Sequence, residues 1–121
     1  MKLSRLHGRK VAAHVLKHGR IFKGKTMIVR WLLGYPRIEG PSTLPRLFLG
    51  TFASTKLDKS AVRRNRMRRR CREAVRITVR GEQVLPTVQL LISPRAPSLS
   101  CTYGEILADV ESLLSILRHA S

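Results

Sequence analysis

Residues 61–80 read AVRRNRMRRRCREAVRITVR, and residues 87–93 read TVQLLIS. In the first stretch Met67, Cys71, Ala74, Val75 and Thr78 recur at i, i+4, i+7, i+8 and i+11, the spacing of one helical face suited to packing on a sheet. The helix is expected over Ala61–Arg80 and stops at Gly81. The second stretch is a near-continuous apolar run, the pattern of a strand buried on both faces. A long one-sided helix feeding such a strand places this chain among mixed helix–sheet domains.

The flanking segments extend that reading. Upstream, Arg46–Ser54 alternates Leu47, Leu49 and Thr51 against Phe48, Gly50 and Phe52, as a strand does, and Lys25–Leu33 carries the β-branched and aromatic residues Thr26, Ile28, Val29 and Trp31. Arg20–Lys23 reads as a further short strand. From Arg9 to His18 the apolar residues Val11, Ala12, Val15 and Leu16 recur at helical spacing, with Gly19 where a helix end favours a left-handed residue. Gly34–Pro45 holds three prolines and two glycines and is a loop by composition; Thr55–Ser60 and Pro94–Ser100 also read as loops. Downstream, Thr102 and Glu105 form a capping-box pattern. Tyr103, Ile106, Leu107, Val110, Leu113, Leu114 and Leu117 then make the apolar stripe of a final helix. The expected architecture is α+β, a single-domain α/β sandwich over residues 1–121: helices packed on a small, mostly antiparallel sheet in the order α-β-β-β-α-β-α.

Charge sets the function class. With 24 Lys+Arg against 7 Asp+Glu among 121 residues the formal net charge is +17, a surface that repels itself until a polyanion neutralises it. The 43% hydrophobic content supports a core and argues against a disordered basic tail. Apolar runs never approach the roughly 20 residues of a membrane span, and the start lacks the apolar region of a secretory signal, so the expected setting is the cytoplasm, with no membrane partner. The N-terminal pattern runs straight into the domain, unlike a transit peptide. Cys71 and Cys101 have neither zinc spacing nor a disulfide framework, which fits a reducing compartment.

Eleven of the basic residues lie between Lys56 and Arg80, opposed only by Asp58 and Glu73. Asn65, Arg69, Arg72 and Arg76 share a helical face opposite the apolar one, flanked by Arg66 and Arg80. A merely solvated face mixes signs, because like charges at i,i+4 cost about 0.2–0.5 kcal/mol each. Here nine arginines meet one glutamate within the helix, and every one is the bidentate fork that suits phosphate. The stripe is a nucleic-acid surface. Arg64-Asn65-Arg66 at the helix start, where backbone amides also favour anions, suits a folded RNA backbone gripped by shape and charge.

No protein nuclease centre is legible. The acids are scattered, with Glu39 in a loop, Asp58, Glu73 and Glu82 about the basic run, and Glu105, Asp109 and Glu111 on the last helix. His14 and His18 are i, i+4 but lack a third ligand, and His7 and His119 form no constellation. Neither catalytic nor metal-binding residues are expected in the protein.

Ser54-Thr55-Lys56-Leu57, Ala61-Val62-Arg63-Arg64-Asn65-Arg66-Met67-Arg68-Arg69 and Arg72-Glu73-Ala74 together resemble the signature of the bacterial ribonuclease P protein subunit. Lys17-His18-Gly19 and Thr102-Tyr103 with Glu105 extend the likeness over nearly the whole chain. The resemblance implies a sandwich like domain 2 of ribosomal protein S5, with a left-handed βαβ crossover. It also implies an RNA-binding protein cofactor of an RNA enzyme: a subunit of an endoribonuclease that removes the 5′ leader of precursor tRNA, with Mg2+ held mainly by the RNA. Its partners would be the catalytic RNA and precursor tRNA, with the protein a monomer within the ribonucleoprotein. Carried over by position, Arg64, Asn65, Arg66, Arg68, Arg69 and Arg72 would contact the catalytic RNA, supported by Lys56 and Ser54, and Arg63 and Arg76 of the same basic helix join them as candidate RNA-binding residues.

Two departures stand out. Asp58-Lys59-Ser60 is one residue longer than the family's segment and lacks its glycine. The aromatic cleft that receives the single-stranded leader is thinned: Ala12, Leu16 and Arg30 stand at its positions, leaving Met27, Trp31 and Phe52 as candidate apolar contacts. The rival reading is a basic structural protein of the ribosome with a similar fold.

Overall fold

Strand β5 (Val88–Pro94) occupies the middle of the sheet because both of its faces are apolar. The computed structural model describes residues 2–36, 46–82 and 85–120. The other elements are β1 (Lys2–Arg5), α1 (Arg9–His18), β2 (Arg20–Lys23), β3 (Met27–Leu33), β4 (Arg46–Thr51), α2 (Ala61–Val79), a short 3-10 turn (Ala96–Leu99) and α3 (Tyr103–Arg118). The sheet order is β1-β4-β5-β3-β2. Most of the expected loop Gly34–Pro45, including Glu39, lies outside the described residues.

The α+β class and the one-domain sandwich are observed, with two corrections. The sheet is mixed, not mostly antiparallel: β1–β4 and β4–β5 pair parallel, while β5–β3 and β3–β2 pair antiparallel. The element order gains an initial strand, β-α-β-β-β-α-β-α, because Lys2–Arg5 adds to the edge of β4. The β4–α2–β5 unit joins adjacent parallel strands through a helix, as parallel pairing requires.

Alternation along the strands sends side chains to two cores. Val88, Leu90 and Ile92 of β5 meet α2 and α3, together with Met27, Val29, Trp31, Leu47 and Leu49. Leu91, from the same strand, joins Phe48 and Leu6 beneath Val11 and Val15 of α1. The sheet is thus sandwiched between α1 on one side and α2 with α3 on the other. From α3, Ile106, Val110, Leu113, Leu114 and Leu117 are all fully buried, as the stripe predicts.

The helix ends follow local chemistry. In α3 the capping box forms, with the Thr102 N–H donating to the Glu105 carboxylate at 3.2 Å. Gly19, expected to be left-handed, is extended (φ −72°, ψ 155°). Its role is close approach: a Cβ there would lie 2.6 Å from the Val15 carbonyl oxygen and 3.1 Å from that of Trp31. On the opposite side of the sheet, the carboxylate of Asp109 accepts from the Thr26 N–H at 2.7 Å and from the Thr26 hydroxyl at 2.5 Å, tying α3 to the β2–β3 turn.

Candidate nucleic-acid interface

The lead-in to α2 is a built turn. The Leu57 N–H donates to the Ser54 carbonyl at 3.1 Å, and the Ser60 N–H to the Asp58 carboxylate at 2.8 Å. Ser60 then caps the helix by accepting from the Arg63 N–H at 3.3 Å. Side-chain capping thus closes the Asp58-Lys59-Ser60 turn without a glycine. Arg64 locks the same turn, donating to the Asp58 and Lys59 carbonyls at 2.8 and 3.0 Å.

Beyond the cap, α2 buries Met67, Cys71, Ala74, Val75 and Val79. Thr78 sits at the margin of that face and donates its hydroxyl to the Ala74 carbonyl at 2.6 Å. The opposite side exposes Arg63, Asn65, Arg66, Arg69, Arg72 and Arg76. Within this row the guanidiniums differ in freedom. Arg66 and Arg69 make no hydrogen bond or ion pair with the described residues. Arg63 stands 3.8 Å from the Asp58 carboxylate. Arg68, half-buried, donates to Asn65 Oδ1 at 2.7 Å and to the Ala53 carbonyl at 3.3 Å. Arg72 donates to Thr51 Oγ1 at 3.2 Å, and Arg76 pairs with Glu73 at 3.0 Å. That guanidinium holds the Glu73 carboxyl below its ordinary range, so the helix's one acid is spent within the row. Lys56 is exposed and Ser54 half-buried beside the start of α2.

Arg70 is different in kind. It donates to the Ser98 and Cys101 carbonyls, each at 2.6 Å, and so ties α2 to the segment that enters α3. The sequence signal was its position i+3 from Met67 and i−4 from Ala74, on the margin of the buried face. Charge-assisted hydrogen bonds contribute about 1.5–3 kcal/mol each. Arg70→Ala is expected to lower stability in urea unfolding by about 2 kcal/mol, whereas Arg69→Ala leaves it nearly unchanged; equal values for the two would remove the tether. Cys71 beneath it is inert packing, since burial pushes its thiol up to about 11.

The leader-cleft candidates separate into two groups. Ala12, Leu16, Arg30 and Phe52 lie on the α1 side of the sheet. Arg30 is paired across to Leu91 of the α1 core, and Phe52 follows Gly50 on the same face, 56% exposed. Met27 and Trp31 do not belong with them. The period-2 alternation of β3 turns both to the opposite face, where they are 0% and 5% exposed beneath α2 and α3. The Arg20 guanidinium lies 5.6 Å over the Trp31 ring. His14 and His18 bring their rings to 4.6 Å, but no three His, Cys, Asp or Glu side chains gather among the described residues. No helix among them is long and apolar enough to cross a membrane.

A mixed sheet carrying one helix with a guanidinium row outward and an apolar face inward defines a small basic α+β domain with a candidate anion-binding surface. The chain belongs to the ribonuclease P protein family: the family profile described as Ribonuclease P matches residues 1–118. It is accordingly a subunit of the ribonuclease P endoribonuclease, which decides against the ribosomal reading. Over 113 residues it is 28% identical to the ribonuclease P protein component of Rippkaea orientalis, covering 93% of this chain and 85% of that protein. The fold is shared with the RNase P protein of Thermotoga maritima (TM-score 0.66, 22% identity, 98% of each chain). It is shared also with that of Staphylococcus aureus (TM-score 0.65, 20% identity, 93% of each chain).

Proposed function

We propose that this subunit binds the catalytic RNA of ribonuclease P and precursor tRNA through the arginine row of α2, and so assists Mg2+-dependent removal of the 5′ leader. The observation that carries this is the pair of unengaged guanidiniums, Arg66 and Arg69, in a row whose other members are oriented by Asn65, Thr51 and Glu73. Free, outward forks on a rigid helix recognise phosphates without reading bases. The scattered carboxylates give the chain no cage for Mg2+ among the described residues, so the reading leaves the ion to the RNA partner. The protein then acts as one copy in a cytoplasmic ribonucleoprotein by neutralising backbone charge where two RNAs meet.

A cleavage assay tests this. Added to the catalytic RNA and precursor tRNA at low Mg2+, the protein is expected to raise the rate of leader removal, and an unchanged rate across a Mg2+ titration rejects the reading. Leader contact rests on the α1 face, where Phe52 supplies the aromatic surface beside Leu16, Ala12 and Arg30. Stacking on an aromatic contributes about 1–3 kcal/mol per base, so a face with one exposed ring gains little from successive bases. Affinity measured against leader length is expected to rise shallowly; a steep gain with each added nucleotide would show that stacking, not backbone charge, holds the leader.

A further inference from the structure

Helix α3 is the anomaly of a basic molecule. From Tyr103 to Leu117 it carries no Lys or Arg, and it holds three of the chain's seven acids, Glu105, Asp109 and Glu111. Its outward face is made by Glu105, Ala108, Ser112, Ser115, Ile116 and His119, at i, i+3, i+7, i+10, i+11 and i+14, and all six are exposed. Ile116 is a large apolar side chain left 44% exposed beside small neighbours. On a surface at +17 this face alone of the helix offers phosphate no guanidinium before Arg118.

The groups at its two ends are opposite in character and have spare capacity. Glu105 Oε2 accepts from the Thr102 N–H at 3.2 Å and from the Thr102 hydroxyl at 3.4 Å, while Oε1 makes no hydrogen bond with the described residues. His119 donates from Nδ1 to the Ser115 carbonyl at 2.8 Å, which leaves Nε2 unengaged. Arg118 does not compete, because Glu82 at 3.1 Å and Glu111 at 3.8 Å hold it at the flank.

A second α3 laid antiparallel on this face brings Glu105 opposite His119, Ala108 opposite Ile116 and Ser112 opposite itself. Ile116 of one copy then fills the space above Ala108 of the other. The small side chains at 108, 112 and 115 let the axes approach to roughly 8–10 Å, the spacing of packed helices. Each end sets a carboxylate against an imidazole, which donates from Nε2 when protonated. The face is complementary to itself under a two-fold axis, the commonest symmetry of paired subunits. We infer that the outer face of α3 is an isologous contact between two copies of this chain, each the single protein of its own ribonucleoprotein. The arginine row of α2 takes no part in it, and RNA bound there removes the repulsion between two copies at +17. One helix pair is smaller than a standard interface of about 1,200–2,000 Å2, so the contact forms and breaks quickly in the free chain.

Disulfide trapping of the full chain under a mild copper–phenanthroline oxidant accumulates such encounters. Single cysteines are placed at Ser112 and, as a control, at Val62, which is 78% exposed on α2. The unmodified chain, whose Cys71 is buried and Cys101 half-buried, is the blank. Ser112→Cys is expected to form covalent dimers roughly tenfold faster than Val62→Cys, the equivalent of about 1.4 kcal/mol. A mixture of Ala108→Cys and Ile116→Cys chains should give the mixed dimer ahead of either homodimer, a pattern peculiar to the antiparallel register. His119→Glu, which faces two carboxylates, should slow trapping at Ser112 to the Val62 rate, and adding Glu105→Lys should restore it. His119→Lys, which leaves the Thr102–Glu105 cap untouched, should keep the fast rate. Equal trapping at Ser112 and Val62 would overturn the contact and leave the face to a protein of another kind. Added catalytic RNA should speed trapping at Ser112. If it instead abolishes trapping there, α3 lies against RNA, and the pairing falls while the RNA-binding reading stands.

Discussion

Leu113→Ala is expected to lower the unfolding free energy by about 2–5 kcal/mol, the range for emptying a fully buried leucine site. Leu113 is 0% exposed in the core shared by α2, α3 and three strands, with Leu114 and Leu117 beside it. Domains are stable by about 5–15 kcal/mol, so the loss is a large share of the total. A surface at +17 also starts from self-repulsion, which sharpens the effect at low salt. Urea unfolding measures it: the midpoint should fall with the slope retained. A change under about 0.5 kcal/mol, the level of ordinary surface substitutions, would mean that α3 does not hold the sheet.

Arg66→Ala with Arg69→Ala is expected to do the reverse, sparing stability and removing affinity. Neither side chain makes a hydrogen bond or ion pair with a described residue, so urea unfolding should move by less than about 0.5 kcal/mol. If each fork meets a phosphate, each loss costs roughly tenfold in binding, and the pair about a hundredfold. The contrast with Arg70 is the informative part. One turn of the same helix carries an arginine that ties two elements together and arginines that make no hydrogen bond or ion pair with the described residues, and only the second kind should govern RNA affinity.

That distinction marks where sequence reading stops. The capping box at Thr102 and the stripe through Leu117 were legible because they are local: spacing alone says which residues share a helix face. The exposed row on α2 was legible for the same reason, as was β5, whose apolar run leaves few environments open to it. Strand β1 was not, because Lys-Leu-Ser-Arg has no periodic signal and becomes a strand only by pairing with residues 46–49, more than forty positions away. The same holds for Met27 and Trp31. Alternation shows that they share a face with Val29, but which face lies under α1 is decided by the packing of α2 and α3 on the other side. Gly19 shows a subtler miss: the glycine is required, for the nearness of the Val15 and Trp31 carbonyls and not for a left-handed turn.

The salt dependence of binding to the catalytic RNA tests the guanidinium row most directly. Log K should fall linearly with log salt, by about 0.7–0.9 for each phosphate neutralised. For the Arg66→Ala, Arg69→Ala double variant the expected slope is shallower than that of the unmodified protein by about 1.4–1.8. A slope identical to that of the unmodified protein would mean that these two arginines face no phosphate, and that the RNA lies elsewhere on the molecule.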